Sequence, residues 1–513
     1  MSLFKFTTLF TTNIGIGSLV TLIAVAVSIV SFNKHTSRSK LSNTPPIVKI
    51  SERDLLKRPR EVYERALAEH GSVIAVKRKG RLEYIVDDTL THDVLTMDTS
   101  FSFEKGTAFI LNFHYFNNLY TSYFFEIDDF VNNVIVKRMP LIVEQVFPIF
   151  VKLADKLVQE TNHHSNTKQS PQYVHGLDQI HRSVSEAMVL VLLGPEFINA
   201  KNLNIIEKVV NDMSEVTGLY QNASWWGTTF PSAWRFFTWT RVLFTTIPTF
   251  YSFIGLHMWK VLRSECFNQE DVKDDSDINK RSVLEYLAYK YADPVHGRVS
   301  FSAFMRITAL LLGIIFASIH QTATITLWVI YELALHPEYI PALKEELVEA
   351  MGEGWPTEYE DISYEALQNA ARLDSFIREV LRMKGDTLAV CRLTTGNVSI
   401  GRYTIPKGFL VYPLASLSHF SKQYHGTDAE TFNGRRWEGT GKQAVMINQT
   451  YFPFGLGRWA CPGRTLAVAE IKMIIWAIIR RARPELRDNS YTVSDPINVT
   501  SVPPDGELTL VPN

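Results

Sequence analysis

From Ile307 to Tyr331 the chain runs 25 residues without a charge unless His320 is protonated. A helix that long and that apolar either crosses a membrane or threads the middle of a protein core. Its centre reads His320-Gln321-Thr322, and hydrocarbon penalises three adjacent polar side chains that a core helix can aim into a cavity. The expectation is a core helix, closed before Pro337, inside a large fold. The composition can build one: 513 residues, 46% hydrophobic and 12% aromatic. Lys+Arg total 52 against 53 for Asp+Glu, a net charge of −1 that gives no overall support for binding nucleic acid. Cys266, Cys391 and Cys461 are too few and too scattered for a disulfide framework or a zinc knuckle, and point to a reducing compartment for the catalytic part.

A second uncharged run, Asn13 to Phe32, has 20 residues, enough to span about 30 Å of hydrocarbon as a helix. Basic Lys34, Arg38 and Lys40 follow it and no A-x-A-like site appears, which favours a single transmembrane anchor over a cleaved signal peptide. Positive-inside bias then puts the carboxyl-terminal side in the cytosol. The expected organisation is a short tail (1–12), the anchor (13–32), a basic and proline hinge (33–47) through Asn43-Thr44-Pro45-Pro46, and a catalytic domain (48–513). Sequons at Asn222, Asn397, Asn448 and Asn498 read as chance occurrences in a cytosolic chain.

The body reads as mainly α with a small β region. Ser72 to Lys77 and Leu82 to Val86 look like strands of a small sheet, and Asn397 to Pro413 like strands around a tight turn. Ser363 to Met383 reads as helix. Phe109, Phe113, Tyr115, Phe116, Tyr120 and Tyr123 crowd one stretch, as core packing or as an apolar ligand wall. Trp225, Trp226, Phe230, Trp234, Phe236, Phe237 and Trp239 lie in a segment whose only charges between Glu215 and Lys260 are Arg235 and Arg241, a composition that could dip into a membrane interface. Asn268 to Arg281 reads as a solvated loop, and His163-His164 as loop residues without a metal role.

Chemistry concentrates at Phe454-Gly455-Leu456-Gly457-Arg458-Trp459-Ala460-Cys461-Pro462-Gly463, which leads into an apolar helix, Thr465 to Ile479. A cysteine opening a helix meets unpaired N–H groups and the positive dipole end, which lower a thiol's pKa and make it a soft ligand for iron. Gly457 permits a tight turn, and Gly463 a close approach of backbone to sulfur. Glu379 and Arg382 stand at i, i+3, alone an ordinary surface pair of about 0.3 kcal/mol.

Together these segments resemble the cytochrome P-450 family of haem-thiolate monooxygenases over nearly the whole chain: anchor, proline hinge, central helix, Glu-x-x-Arg helix, β segment and cysteine loop. The loop matches F-x-x-G-x-x-x-C-x-G at Phe454, Gly457, Cys461 and Gly463. The resemblance implies the cytochrome P-450 fold behind one transmembrane helix, haem b with Cys461 as its axial iron ligand, and a buried network joining Glu379 and Arg382 to Arg436 of Phe432-Asn433-Gly434-Arg435-Arg436-Trp437. It assigns Arg392 to a haem propionate. Two departures stand out. Trp459, with Arg458 beside it, replaces the basic residue two before the cysteine, and Ala317-Ser318-Ile319-His320-Gln321-Thr322 carries His and Gln where the family has an acid and a threonine. Histidine there resembles a filamentous-fungal group acting on terpenoid and polyketide skeletons.

The resemblance therefore implies an endoplasmic-reticulum monooxygenase. It takes O₂, electrons from an NADPH-dependent flavoprotein reductase, and an apolar specialised metabolite, most readily a terpenoid. His320, Gln321 and Thr322 are its expected proton-delivery residues, and Phe109 to Phe125, Thr217 to Trp239 and Leu388 to Val390 its pocket walls. The alternatives are a haem-thiolate enzyme of rearrangement, dehydration or coupling, favoured by Gln321, and a non-catalytic membrane haem carrier or sensor.

Overall fold

The computed structural model describes residues 43–78, 80–111, 120–162, 176–216, 225–264, 282–293, 296–351 and 362–513. The anchor, most of the hinge, Phe113, Tyr115, Phe116, His163-His164, 217–224, Cys266 and the loop at 268–281 lie outside the described residues.

Among the described residues the fold is mainly α with a small β region, as expected. Nine helices carry the site: α1 (Asp88–Thr96), α2 (Phe103–Ile110), α3 (Tyr123–Phe130), α4 (Met139–Asn162), α5 (Gly176–Leu192), α6 (Pro231–Arg241), α7 (Phe301–Leu335), α8 (Ala371–Met383) and α9 (Arg464–Arg481). α4 packs on α5, α5 on α7, α7 on α9, and α9 back on α4, closing a ring. The uncharged run of the central helix is thereby accounted for. Every residue of α7 from Thr322 to Ala334 is buried, as is every residue of α9 from Val468 to Ile479, the pattern of helices apolar on all sides. Among the described residues α7 is the one helix long and apolar enough to cross a membrane, and its surroundings make it a core helix. Its hydroxyls are satisfied locally: Thr324 donates to His320 O at 3.0 Å and Thr326 to Thr322 O at 2.8 Å.

The segment Ser363 to Met383 is two helices, Tyr364–Asn369 and α8, because Ala370 adopts φ −69, ψ 77. The break has a tertiary cause. Glu346 accepts the first-turn amides of α8, from Arg372 at 2.6 Å and Leu373 at 2.9 Å, so a carboxylate from another helix caps a start that no local side chain caps.

The strands are β1 (Ile47–Val48), β2 (Val73–Arg78), β3 (Arg81–Val86), β4 (Phe101–Ser102), β5 (Arg392–Thr394), β6 (Val398–Ile400), β7 (Tyr403–Ile405), β8 (Leu410–Pro413), β9 (Ala482–Leu486) and β10 (Leu508–Pro512). The amino-end sheet is larger than its local sequence indicates. Its six strands run β1-β2-β3-β8-β5-β4, with β3 and β8 parallel in register Glu83 to Leu410 and β5 antiparallel to β8. The later strands come from the 392–413 region, and β6 and β7 form a separate hairpin turning at Gly401, φ +55.

Among the described residues one core carboxylate has neither oxygen hydrogen-bonded. Glu470 on α9 is 1% exposed, both carboxylate oxygens lack a hydrogen bond, and desolvation pushes its pKa up to about 8. A carboxyl held protonated in the fold but free to ionise near 4.5 when unfolded makes the unfolded state bind fewer protons in between. Stability is therefore full below about pH 4.5 and lost as pH rises toward 8. Glu470→Met, which removes the titration at similar volume, is expected to gain melting temperature over the parent progressively across that window. A gap independent of pH would show that Glu470 is ionised in the fold.

Candidate haem-thiolate site

The cysteine loop is shaped by its backbone. Cys461 N donates to Phe454 O at 2.8 Å, Gly455 N to Phe452 O at 2.9 Å, and Arg464 Nη1 to Cys461 O at 2.7 Å. Gly457 sits at φ +78, and a Cβ there would lie 2.9 Å from the Leu95 carbonyl at the end of α1. Turn and close approach thus both require glycine. Gly463 is less constrained, since its Cβ would stand 4.0 Å from Sγ, an ordinary contact.

Cys461 is half-buried and unpaired, and precedes the first residue of α9 by three positions. The expected lowering of its pKa is not what the protein alone produces. Desolvation raises the thiol above its ordinary value, and the N–H groups of Gly463 and Arg464 with the Arg464 charge offset this only in part. The helix end orients donors at sulfur, but burial outweighs them. A metal cation is what would stabilise this thiolate.

Arg392 opens β5 and is 1% exposed. Among the described residues its guanidinium reaches carbonyls alone, those of Leu95, Val390 and Cys391 at 3.3, 3.4 and 3.3 Å, and Nε finds no acceptor. Among the described residues no carboxylate stands within ion-pair distance, and burial lowers its pKa to about 10. A buried cation with an orphaned donor fits an anionic group that the protein does not itself supply, which is what a haem propionate is. Phe103 of α2 lies beneath it, ring centre 5.1 Å from Cζ.

Trp459 does not stand in for a basic residue. Its indole stacks on Phe103 at 5.2 Å and 17°, so it packs against the ring that also carries Arg392. Arg458 is 43% exposed and pairs with Asp128 of α3 at 2.8 Å while lying over Phe125 and Trp459. Phe103 and Asp128 went unrecognised in the sequence, where nothing marks a contact across some 350 residues.

The Glu379–Arg382 pair is no surface pair. Both side chains are fully buried, joined by two bonds of 2.7 and 2.9 Å. Glu379 also accepts from Arg436 Nε at 3.0 Å, Asn433 N at 3.2 Å and Trp437 Nε1 at 3.1 Å. Arg382 donates onward to the carbonyls of His419 and Ala429, and Arg436 to Asp428 and to the carbonyls of His425 and Thr431.

His320, Gln321 and Thr322 are neighbours in sequence but point apart. Gln321 and Ala317, one turn earlier, are exposed in a stretch of α7 otherwise largely buried, so this face is not packed against protein. His320 is 7% exposed, its Nε2 donates to Ser501 O at 2.7 Å, and its ring meets His181 of α5 edge-on at 5.9 Å. Burial lowers both histidine pKa values, that of His181 to about 4, so both rings are neutral near pH 7. Thr322 is buried. Of the proposed walls, Val390 is exposed and Leu388 buried in the core, Phe125 is exposed and Tyr123 buried.

A family model described as cytochrome P450 matches residues 84–509, which spans the Glu-x-x-Arg network, the β segment and the cysteine loop. The chain is a cytochrome P450. Family members hold haem through a cysteine thiolate, and the unpaired Cys461 with the anion-seeking Arg392 fits that cofactor. Among curated relatives, this P450 is similar to the beta-amyrin 11-oxidase of Glycyrrhiza uralensis, 33% identical over 195 residues, 37% of this chain and 38% of the relative. It is similar to the cytochrome P450 monooxygenase paxQ of Penicillium paxilli, 29% identical over 197 residues, 36% and 37% of the two chains. A sterol 14alpha-demethylase of Mycobacterium tuberculosis is 26% identical over 225 residues, 44% and 48%. The matched stretches thus span less than half the length of each of these relatives.

Proposed function

We propose that this P450 is a monooxygenase that hydroxylates or further oxidises an apolar specialised metabolite of terpenoid class, using O₂ and electrons from an NADPH-dependent flavoprotein reductase. The observation that carries the reading is Cys461, free and half-buried at the opening of α9. A relative named beta-amyrin 11-oxidase supports the substrate class, and one named a cytochrome P450 monooxygenase supports the reaction. Bound haem b supplies the oxygen chemistry. Cys461 ligates the iron, Arg392 binds a propionate, and Phe454, Gly457 and Gly463 shape the loop around the thiolate. Arg458 and Trp459 cover its edge by their contacts with Asp128 and Phe103. Glu379, Arg382 and Arg436 hold the loop's scaffold. Cys461→Ala is expected to abolish the thiolate spectrum of the carbon-monoxide complex and, with reductase, incorporation of labelled oxygen from O₂ into product. Retention of that spectrum sinks the ligand assignment, and NADPH use without oxygen in any product sinks the monooxygenase.

Oxygen activation consumes protons that must cross an apolar cavity. Gln321 faces the open side of α7 and has both donor and acceptor groups, so it can hold a water in line. His320, neutral and tied to Ser501, orients this part of the helix and is the exchangeable group next to it, with Thr322 behind. His320→Ala is expected to lower product per NADPH and release peroxide, and Gln321→Thr to keep or improve that yield. Unchanged yields in both variants would favour the second reading, a rearrangement, dehydration or coupling enzyme, which the amide in place of a hydroxyl supports. A non-catalytic haem carrier would oxidise no NADPH with reductase present.

We place the protein on the endoplasmic-reticulum membrane, anchored by residues 13–32 with the catalytic domain in the cytosol. Trp225, Phe230 and Phe237 are exposed, at 75%, 48% and 59%, around the start of α6, and offer a second contact of interfacial composition. Removal of residues 1–40 is expected to release part of the protein from membranes, and Trp225→Ser with Phe237→Ser to release the remainder. Full retention after the deletion refutes the anchor, and full release by the deletion alone refutes the second contact.

A further inference from the structure

One cavity, of about 460 Å³, shares no lining residue with the haem site. It is bounded by the start of helix Pro59–His70, the stretch 385–387 that follows α8 and the end of helix Ala415–His419, with Pro496 and Val499 on a further side. Its volume is in the range of small-molecule pockets. Most of the charges in its walls are already matched. Arg60 pairs with Glu64 at 2.9 Å and with Glu430 at 3.1 Å while lying over the Phe420 ring, Arg58 pairs with Asp54, and Asp386 accepts from Thr500 N at 2.8 Å and Oγ1 at 3.0 Å. Lys57 and Glu61, one of each sign, are exposed to solvent.

His419 is the exception. It lines the cavity, is 2% exposed, and its Nε2 accepts from Phe452 N at 3.1 Å. Burial, aided by His425, Arg382 and Arg378, pushes its pKa down to about 3, so the ring is neutral and its proton sits on Nδ1. Among the described residues that N–H meets no acceptor. The ring is held by the Phe452 bond and by contact with the Phe452 ring, centres 4.8 Å apart. Gly385 leaves the donor uncovered, since a Cβ there would stand 3.4 Å from Nδ1 and 3.1 Å from Leu381 O. A buried donor of this kind carries a desolvation cost that an acceptor oxygen brought by a ligand removes.

We propose that this cavity is a binding site for a small, neutral, largely apolar molecule carrying a carbonyl oxygen, which accepts the His419 Nδ1–H while Phe420, Met383, Pro496 and Val499 enclose its hydrocarbon. Neutrality follows from the matched charges of the walls, and the oxygen from a fixed donor that the fold leaves without a partner. The site is independent of the reaction at the iron.

The test irradiates the full-length ferric holoenzyme with benzophenone, a ketone that labels the C–H bonds it touches, and reads the labelled segments by peptide mass. Saturable label is expected within 383–387 and 496–499. Dicyclohexyl ketone is expected to suppress it at a concentration about tenfold or more below that needed of dicyclohexylmethane, which has a similar shape but leaves the donor unpaired. Gly385→Ala, whose methyl covers Nδ1, is expected to reduce that advantage, and His419→Phe, which keeps a ring without a donor, to abolish it. Gly385→Ala answers alone should His419→Phe fail to fold. Label confined to other segments, or an advantage that neither variant lowers, overturns the site. Equal suppression by ketone and hydrocarbon in the parent also overturns it, and leaves water as the partner of Nδ1.

Discussion

Glu379 is fully buried, and five N–H groups converge on its carboxylate from Arg382, Arg436, Asn433 and Trp437. Breaking such a buried pair by removing one partner costs about 3–5 kcal/mol because it strands the other charge. The consequence here is positional. The donors come from α8 and from the irregular segment 433–437, and Arg382 extends the same network to the carbonyls of His419 and Ala429. A segment with no helix or strand to order it is thus nailed to a core helix, 17 residues ahead of the cysteine loop that opens at Phe454. Arg378, one turn from Arg382, adds a second clamp: its guanidinium lies 3.6 Å from the ring centre of Tyr451 and 4.6 Å from that of Trp437. The cysteine loop thus follows, in the chain, a segment anchored by these side chains.

Much of this was legible as pattern. The loop glycine, the cysteine and the Glu-x-x-Arg pair are marked by residue type and spacing, whereas Arg436 and Arg392 stand out only through the family resemblance; in the fold Arg436 bonds Glu379 and Arg392 is buried among carbonyls. What stayed hidden depends on tertiary contact. An i, i+3 ion pair reads the same on a surface helix as in a core. Only burial on all sides of α8 separates a few tenths of a kcal/mol from a structural keystone. Likewise the helix-end effect on Cys461 was correctly signed but smaller than desolvation, whose size depends on packing that no local motif records. The break at Ala370 follows from Glu346, a partner on a different helix, and Trp459 finds its role in Phe103 hundreds of residues away.

The polar triplet of the central helix shows the same limit at the scale of three residues. Sequence places His320, Gln321 and Thr322 together, and a helix separates them by about 100° each. Fold geometry then gives them different environments: open space for Gln321, a carbonyl and a second imidazole for His320, and close packing for Thr322. Neutral histidines accompany that arrangement, since burial of both rings outweighs the opposing pull of Asp178 on His181 and of the Ser501 carbonyl on His320.

The six-stranded sheet has a consequence in time. β3 ends at Val86 and its neighbour β8 begins at Leu410, 324 residues later. At translation rates of about 5–20 residues per second the edge of β3 waits roughly 16–65 s for its partner, with its N–H and C=O groups unpaired. Arg392 and Cys461 emerge in the same late portion of the chain. Synthesis therefore leaves a half-finished sheet in need of protection, and cofactor capture belongs to the last stage of maturation, after nearly all of the polypeptide has left the ribosome.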